Sequence, residues 1–360
     1  MTEGERTAAI ALAMCNGLER RSLNKVVTGL HSAVRAWKAD PAEWLVHCSL
    51  HQHTIEKLDR WRTKQNPSAL VKKLSNQGIG AVVRGEELYP ERLLQWGENA
   101  PLVLFVKGNR ELLMRLPAVS VVGTRRASAY GLEAARWLAN SLAGAGVTVV
   151  SGLALGIDAA AHRAALRASG PTIAVLGSGV NVCYPPSHRD LFQQIQESGL
   201  LVSEYPPDDP VAKHHFPERN RIIAALGEIV IIVQAGPKSG ALTTVDAALG
   251  LGRDVYVVPG PITSKLFKGS NQLLKDGAQI MLDPEDLLTD LNLQVDFTQS
   301  RYPVRWKELY EALESAMGAS ELSDILGLPL KVVYAALMEL ELDGWIRHVP
   351  GGLYERNLSG

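Results

Sequence analysis

Short apolar runs alternate with longer stretches of helical periodicity through the middle of the chain. The short runs are rich in Val, Ile and Leu and lack a polar face, which is typical of strands buried in a parallel sheet. They lie at 102–106, 119–122, 147–150, 172–176, 200–203, 229–233, 255–258 and 279–282. Helical patterns at 132–145, 157–168, 191–198 and 242–251 separate most of them. The alternation predicts an α/β domain over residues 81–290, with a parallel sheet wound on both sides.

The two ends of the chain have different patterns. Apolar residues recur at helical intervals over residues 1–80, which predicts a domain of short helices. A polar stretch, 291–302, is predicted as a linker. Residues 303–360 contain three helical runs and then two short β-type runs around Pro350, Gly351 and Gly352. That order is typical of a winged helix.

Composition places the protein among soluble globular chains. With 360 residues the chain is too long for one ordinary hydrophobic core. Of these residues, 46% are hydrophobic and 21% are charged. No apolar run approaches the roughly 18 residues of a membrane helix, so we expect no membrane insertion. Cys15, Cys48 and Cys183 stand far apart without a CxxC pair, which disfavours disulfides and structural zinc. We therefore expect a cytoplasmic protein.

Charge is unevenly distributed along the chain although the net charge is −1. Residues 1–80 contain 12 Lys and Arg against 7 Asp and Glu, residues 81–290 contain 19 against 21, and residues 291–360 contain 6 against 10. A nucleic-acid site in the middle domain must therefore be a local cationic cluster. The predicted recognition helix of the winged helix has Glu339, Glu341 and Asp343 against Lys331, so we expect it to contact protein or pack internally rather than to read DNA.

The most informative segment is K-H-H-F-P-E-R-N-R, residues 213–221. It follows a strand pattern that ends at Pro206 and Pro207 and precedes a helical run at 222–226, so we interpret it as a loop at a strand end, where open α/β sheets bind ligands. Its cations can hold phosphates, and Phe216 offers a flat face to a base. The alternative is that Phe216 plugs the base of the loop. The pattern favours single-stranded nucleic acid as the ligand.

Glycines follow several of the predicted strands, and backbone N–H groups at such turns can bind oxyanions. They are Gly123, Gly152, Gly177, Gly179 and Gly236. Arg125 and Lys238 follow two of these turns and could contact an anion. Gly177 and Gly179 lack the third glycine of a dinucleotide fingerprint, and Pro185 and Pro186 interrupt the approach to the next helix, which disfavours NAD.

Two other groupings have a structural and a chemical interpretation. Asp158 and His162 lie four residues apart and could form an acid–base pair, although a carboxylate at a helix start with a packed histidine is the favoured interpretation. His47, Cys48, His51 and His53 could suggest a metal, but no carboxylate or second cysteine completes a ligand set. We therefore predict no metal, no cofactor and no catalytic residue.

Six motifs in order resemble the DprA/Smf family of bacterial DNA-processing proteins. They are V-S-V-V-G-T-R-R-A-S-A-Y-G (119–131), S-G-L-A-L-G-I-D-A-A-A-H (151–162), T-I-A-V-L-G-S-G (172–179), S-E-Y-P (203–206), F-P-E-R-N-R-I-I-A (216–224) and S-G-A-L-T-T (239–244). The segment M-E-L-E-L-D-G-W-I (338–346) is similar to the family's winged helix. The resemblance covers roughly residues 89–288 and the C-terminal part.

The resemblance implies an extended Rossmann-like core, a helical, SAM-like N-terminal domain and a winged helix. It also implies a protein that binds and protects incoming single-stranded DNA in natural transformation, forms homodimers and loads the RecA recombinase, without being an enzyme. Its candidate DNA-binding residues are Gly123, Thr124, Arg125, Ser151, Gly152, Lys213, Phe216, Arg219, Asn220, Arg221, Lys238, Ser239 and Gly240.

Two positions depart from the family pattern. Asn181 stands where aspartate is frequent and Gln234 where glutamate usually follows the strand, so both are expected to remove negative charge from the rim of the site. One alternative is a nucleotide-hydrolysing enzyme of a related fold, although residues 236–241, G-P-K-S-G-A, lack the P-G-G-x-G-T run of those enzymes. Another alternative is an interaction scaffold, which the basic and aromatic segment around Phe216 disfavours.

Overall fold

The computed structural model describes residues 1–16, 18–291, 293, 306–342 and 345–357. Most of the predicted linker, 291–302, lies outside these residues. The N-terminal part is helical, as predicted. Its helices are α1 (Glu3–Ala13), α2 (Arg20–Leu30), α3 (Ala33–Lys38), α4 (Pro41–Cys48), α5 (Gln52–Arg62) and α6 (Pro67–Asn76).

Within the described residues, nine strands form the central sheet in the order β1-β2-β6-β5-β4-β3-β7-β8-β9. They are β1 (Gly80–Val83), β2 (Val103–Gly108), β3 (Ala118–Gly123), β4 (Thr148–Ser151), β5 (Thr172–Val175), β6 (Leu200–Ser203), β7 (Ile229–Gln234), β8 (Asp254–Val257) and β9 (Gln279–Ile280). The eight predicted strands are confirmed. β1 was not predicted, and β2 is antiparallel to both β1 and β6, so the parallel sheet runs from β6 to β9.

Helices connect the parallel strands and cover both faces of the sheet, which confirms the doubly wound fold. The connecting helices are α8 (Ala129–Gly144), α9 (Ile157–Arg167), α10 (Arg189–Ser198), α11 (His215–Leu226), α12 (Leu242–Gly250) and α13 (Lys268–Lys275). Helix α7 (Glu91–Leu94) lies between β1 and β2, and α14 (Pro284–Asp290) follows β9. Strands β4 to β6 extend the sheet to one side of β3, whereas β7 to β9 extend it to the other. The sheet therefore has its topological switch point between β3 and β7, where such folds bind ligands.

The N-terminal helices pack directly on the sheet. Apolar residues of these helices share one buried cluster with Val83, Val103 and Phe105 from β1 and β2. Arg20 is 6% exposed and donates to the carbonyls of Ala13 at 3.0 Å and Leu18 at 2.7 Å. A longer bond, 3.5 Å, reaches the Glu204 carbonyl after β6. The helices and the sheet thus share a core, and the division at residue 80 remains a prediction.

The C-terminal part has the predicted winged-helix elements. Helices α15 (Lys307–Ala312), α16 (Ala319–Leu326) and α17 (Leu330–Leu342) precede the antiparallel strands β11 (Ile346–Val349) and β12 (Leu353–Arg356), and β10 (Met317–Gly318) pairs with β12. Asp343, one of its predicted acidic residues, lies outside the described residues. In the described part of the chain, every helix falls short of the length and apolarity that crossing a bilayer requires.

Candidate nucleic-acid interface

A groove of about 1060 Å³ lies at the switch point, beyond the carboxyl ends of β3 and β7. The turns after these two strands form its sides, and the start of α11 forms its floor. Of the predicted residues, Gly123, Thr124, Arg125, Lys213, Phe216, Arg219, Asn220, Lys238, Ser239 and Gly240 line it. Gly152 lines a smaller cleft that shares Arg125, Phe216 and Arg219 with the groove. The structure therefore brings together most of the predicted site.

The segment 213–221 is not a loop, which corrects the prediction. Helix α11 begins at His215, so Phe216, Arg219 and Asn220 lie in its first two turns. Pro217 occupies the first turn, where a helix needs no backbone donor, and Glu218 complements the positive end of the helix dipole. The proline is thus compatible with a helix start. As a consequence, the direction of each side chain is fixed by helical geometry.

Phe216 lies half-buried on the floor of the groove. A side chain at Gly177 would come within 3.1 Å of the ring, so the glycine allows the ring to rest on the backbone. The Arg125 guanidinium lies 4.7 Å above the ring centroid, and the Tyr184 ring lies 5.7 Å away at 42°. Tyr184 is 42% exposed and also lines the groove. Two aromatic rings and a guanidinium plane therefore form one surface that can stack with bases.

Arg219 has a structural position. It is 4% exposed, and its guanidinium donates to the Gly152 carbonyl at 2.6 Å and to the Val175 carbonyl. The Gly152 N–H in turn donates to the Asp158 carboxylate at 3.2 Å. Burial lowers the pKa of Arg219 to about 10, while Asp158 opposes the shift, so the guanidinium stays charged at neutral pH. This geometry does not support the prediction that Arg219 holds phosphate, because its guanidinium is buried and bonded to backbone carbonyls.

Arg221 and Ser151, by contrast, lie off the groove. Arg221 forms an ion pair with Glu204 at 2.5 Å, and its side chain is 19% exposed. Ser151 is fully buried and donates to the Val121 carbonyl at 2.6 Å. Neither residue lines the groove. We therefore leave Arg219, Arg221 and Ser151 out of the candidate DNA-binding set.

The strand-end glycines mainly accommodate the protein's own side chains. A side chain at Gly123 would meet Ile157 at 2.5 Å, and one at Gly152 would meet the Arg219 guanidinium at 2.6 Å. Gly236 and Gly240 have no such close neighbour: at Gly236 the nearest atom would be 3.5 Å away, and Gly240 faces open space. Among the strand-end turns that the glycine pattern singled out, the turn after β7 is therefore the one whose backbone is open enough to bind an anion.

Four exposed cations surround the groove: Arg125, Arg126, Lys213 and Lys238. In the described part of the chain, none of the four is in an ion pair. Asn220 connects two parts of the wall because its amide donates to Thr243 Oγ1 at 2.8 Å and to the Gly240 carbonyl at 3.2 Å. Sequence reasoning missed Arg126 and Tyr184. The second arginine of T-R-R was the available signal for Arg126, whereas nothing local marked Tyr184.

Asp158 and His162 follow the structural interpretation. Asp158 is 6% exposed, and its Oδ2 accepts from the N–H groups of Gly152 and Ala154. His162 Nδ1 lies 2.8 Å from Thr172 Oγ1, and burial lowers the pKa of His162 to about 3, which keeps it neutral. Cys48, from the suspected metal cluster, is buried, and burial raises its pKa, which disfavours a thiolate ligand.

The two departures from the family pattern lie away from the rim. Gln234 is fully buried, and its Oε1 accepts from the Ser128 N–H at 2.9 Å at the start of α8. Asn181 donates to Asp208 at 2.8 Å and accepts from Lys107 at 3.3 Å. Neither residue lines the groove, so the expectation that they change its charge is wrong.

Comparisons with known proteins agree with this architecture. The model of the family "DNA recombination-mediator protein A" matches residues 80–292, and the "DprA winged helix domain" matches residues 308–352. Protein Smf of Escherichia coli is 38% identical over 280 residues, 74% of each chain.

Two solved structures are similar to this chain over large parts of its length. DNA processing protein A of Streptococcus pneumoniae has a TM-score of 0.69 at 32% identity, covering 81% of this chain and 98% of that one. Its counterpart from Helicobacter pylori, described for its single-stranded DNA binding mode, has a TM-score of 0.54 at 30% identity, covering 59% and 95%. With the core and the winged helix both matched in chain order, this protein belongs to the DprA/Smf family of DNA recombination-mediator proteins.

Proposed function

We propose that this protein binds single-stranded DNA in the groove at the switch point and does not cleave it. The observation that supports the proposal most is the placement of Phe216 within a ring of exposed cations, Arg125, Arg126, Lys213 and Lys238. The cations neutralise phosphates, and the ring stacks with an unpaired base. Bases in a duplex are already stacked on their neighbours, so the aromatic floor favours single strands. The single-stranded DNA binding of the Helicobacter pylori relative supports the same ligand.

The hydrolytic alternative has less support. Among the described residues that line the groove, Asp158 is the only one with a carboxylate. Its Oδ2 accepts two backbone N–H bonds, and the side chain is nearly buried. A carboxylate in that position stabilises the turn after β4 and the start of α9. We therefore propose a binding protein rather than an enzyme.

Single-strand binding is tested by gel shifts of one oligonucleotide, single- and double-stranded, at two salt concentrations. Four phosphate contacts give a log–log salt slope of up to about −2.8, from roughly 0.7 per contact. Lys213→Ala is expected to reduce the slope by about 0.7 and to weaken all sequences alike. Lys64→Ala, an exposed lysine between α5 and α6, is the matched control. Salt-independent binding, or equal loss in both variants, would contradict the proposal.

We also propose that two copies associate through the central domain, which doubles the site on one strand and raises avidity. The support is membership of the family. Because the N-terminal helices share a core with β1 and β2, the appropriate fragment is residues 1–291, without the winged helix. Sedimentation at micromolar concentration is expected to give a dimer; a monomer would contradict this.

Delivery of the strand to RecA in the cytoplasm, during uptake of transforming DNA, is the last part of the proposal and rests on family membership alone. We expect the protein to speed assembly of RecA on single-stranded DNA, measured as the lag before DNA-dependent ATP hydrolysis. Phe216→Ala is expected to lengthen the lag again because it releases the strand. If the wild-type protein binds the DNA but leaves the lag unchanged, it does not load RecA, and this part of the proposal is contradicted.

A further inference from the structure

The winged helix has an apolar surface on the helix that usually enters DNA. Leu330, Tyr334 and Met338 are spaced four residues apart on α17, so they form one stripe, and they are 41%, 52% and 66% exposed. Ile325, near the end of α16, is 57% exposed. We call these four residues the α17 face. Exposed apolar patches of this kind mark contact surfaces.

The winged helix that carries the α17 face is acidic overall. The described winged-helix residues, 306–342 and 345–357, contain 4 Lys and Arg against 8 Asp and Glu, a net charge of −4. Glu321 and Asp324 on α16 and Glu341 on α17 are exposed. Phosphates of a duplex would be repelled by this surface. The same repulsion opposes pairing of two α17 faces, so a fitting occupant needs an apolar surface with cations around it.

Such a surface exists on the N-terminal helices. Leu45 and Val46 on α4 are 53% and 73% exposed, although helix residues in a bundle normally bury large apolar side chains. The end of α4 lies against α2, where Cys48 Sγ is 3.8 Å from the Val26 carbonyl. Lys25 precedes Val26, and Arg21 lies one turn earlier; both are exposed. We call Leu45 and Val46, with these two cations, the α4 face.

We propose that the α17 face of one copy docks on the α4 face of a second copy. The two surfaces match in chemistry because each offers large apolar side chains and the parts of the chain that carry them have opposite net charge. Residues 1–80 have +5, from 12 Lys and Arg against 7 Asp and Glu, and the described winged-helix residues have −4. Both faces are exposed in one chain, so neither covers the other there. Reciprocal docking between two copies gives two contacts for each pair, which strengthens a weak contact through avidity.

Site-specific cross-linking in the full-length protein tests the docking. Cys183 is first replaced by serine because Cys15 and Cys48 are buried and Cys183 is not. One preparation contains Val46→Cys and another, with a different tag, Met338→Cys. A short bis-maleimide can then link these two positions only between copies. As a control for chance collision, Ile262→Cys, at a position that is 87% exposed outside both faces, replaces Met338→Cys.

We expect the Val46–Met338 pair to give several times more cross-linked heterodimer than the Ile262 control. Lys25→Glu with Arg21→Glu is expected to lower the yield about tenfold by replacing attraction with repulsion at the border. Adding Asp324→Lys and Glu341→Lys to the other copy should restore the yield. A yield equal to that of the Ile262 control, or one indifferent to the charge reversal, overturns the proposal. These substitutions are on the surface, and unchanged melting temperatures check the fold.

Discussion

Replacing Arg219 by alanine is expected to lower the free energy of unfolding by about 3–5 kcal/mol, the cost of removing one member of a buried charged arrangement. The guanidinium donates to the Gly152 and Val175 carbonyls, and the Gly152 N–H donates to Asp158. Removal leaves two buried carbonyls without their donor and Asp158 without the nearby positive charge that lowers its pKa against the effect of burial. Denaturant unfolding followed by circular dichroism measures the loss.

Two comparisons distinguish this structural role from phosphate binding. Arg125→Ala is the matched control, because Arg125 is exposed at the groove. This substitution is expected to weaken DNA binding with little loss of stability. Asp158→Asn added to Arg219→Ala should recover part of the loss, since it removes the unbalanced charge. If Arg219→Ala is as stable as the wild type and its log–log salt slope is smaller by roughly 0.7, the value of one phosphate contact, the arginine holds phosphate.

Phe216→Ala is expected to weaken single-strand binding roughly 5- to 150-fold, because stacking contributes about 1–3 kcal/mol per base. Stability should change little, since the ring is half-buried and lies outside the described hydrophobic clusters. Fluorescence anisotropy with a labelled oligonucleotide measures affinity, and a thermal melt of the same sample measures stability.

The control for Phe216 is Phe192, which is 9% exposed and belongs to a core cluster with Leu153 and Leu176. Phe192→Ala is expected to cost about 3–5 kcal/mol of stability while the folded fraction binds DNA normally. Phe216→Leu retains apolar bulk without a flat face and should bind almost as weakly as the alanine variant. If Phe216→Ala melts many degrees lower but binds normally when folded, the ring is a core plug.

Much of the architecture follows from local patterns in the sequence. Apolar runs such as 229–233 are bounded by turn residues and are too short for helices, so their pattern alone predicts strand β7. The wing is equally local, because two short β-type runs enclose Pro350, Gly351 and Gly352. By contrast, β1 was missed because Gly80 and Ala81 do not favour strands in isolation. Its pairing with β2 fixes its conformation.

The candidate site was predicted as a set of residues, whereas their individual roles depended on the direction of each side chain. Successive residues of a helix are rotated by about 100°, so Phe216, Arg219 and Asn220 point to one side of α11 and Arg221 points away. Interpreting the segment as a loop removed that constraint and made all its cations equivalent. Pro217 suggested the loop, although a proline in the first turn is compatible with a helix.

The sequence by itself determined the family, the α/β order of elements, the winged helix and the place along the chain where cations and an aromatic ring come together. These depend on residues close in sequence, whose propensities and periodicity are local properties. Only the tertiary structure decided which arginine is buried against Gly152, that Tyr184 joins Phe216, and that β2 runs antiparallel to β6. Each of these depends on contacts between segments that are distant in sequence, because the burial and charge pairing of a side chain depend on its neighbours in the folded structure.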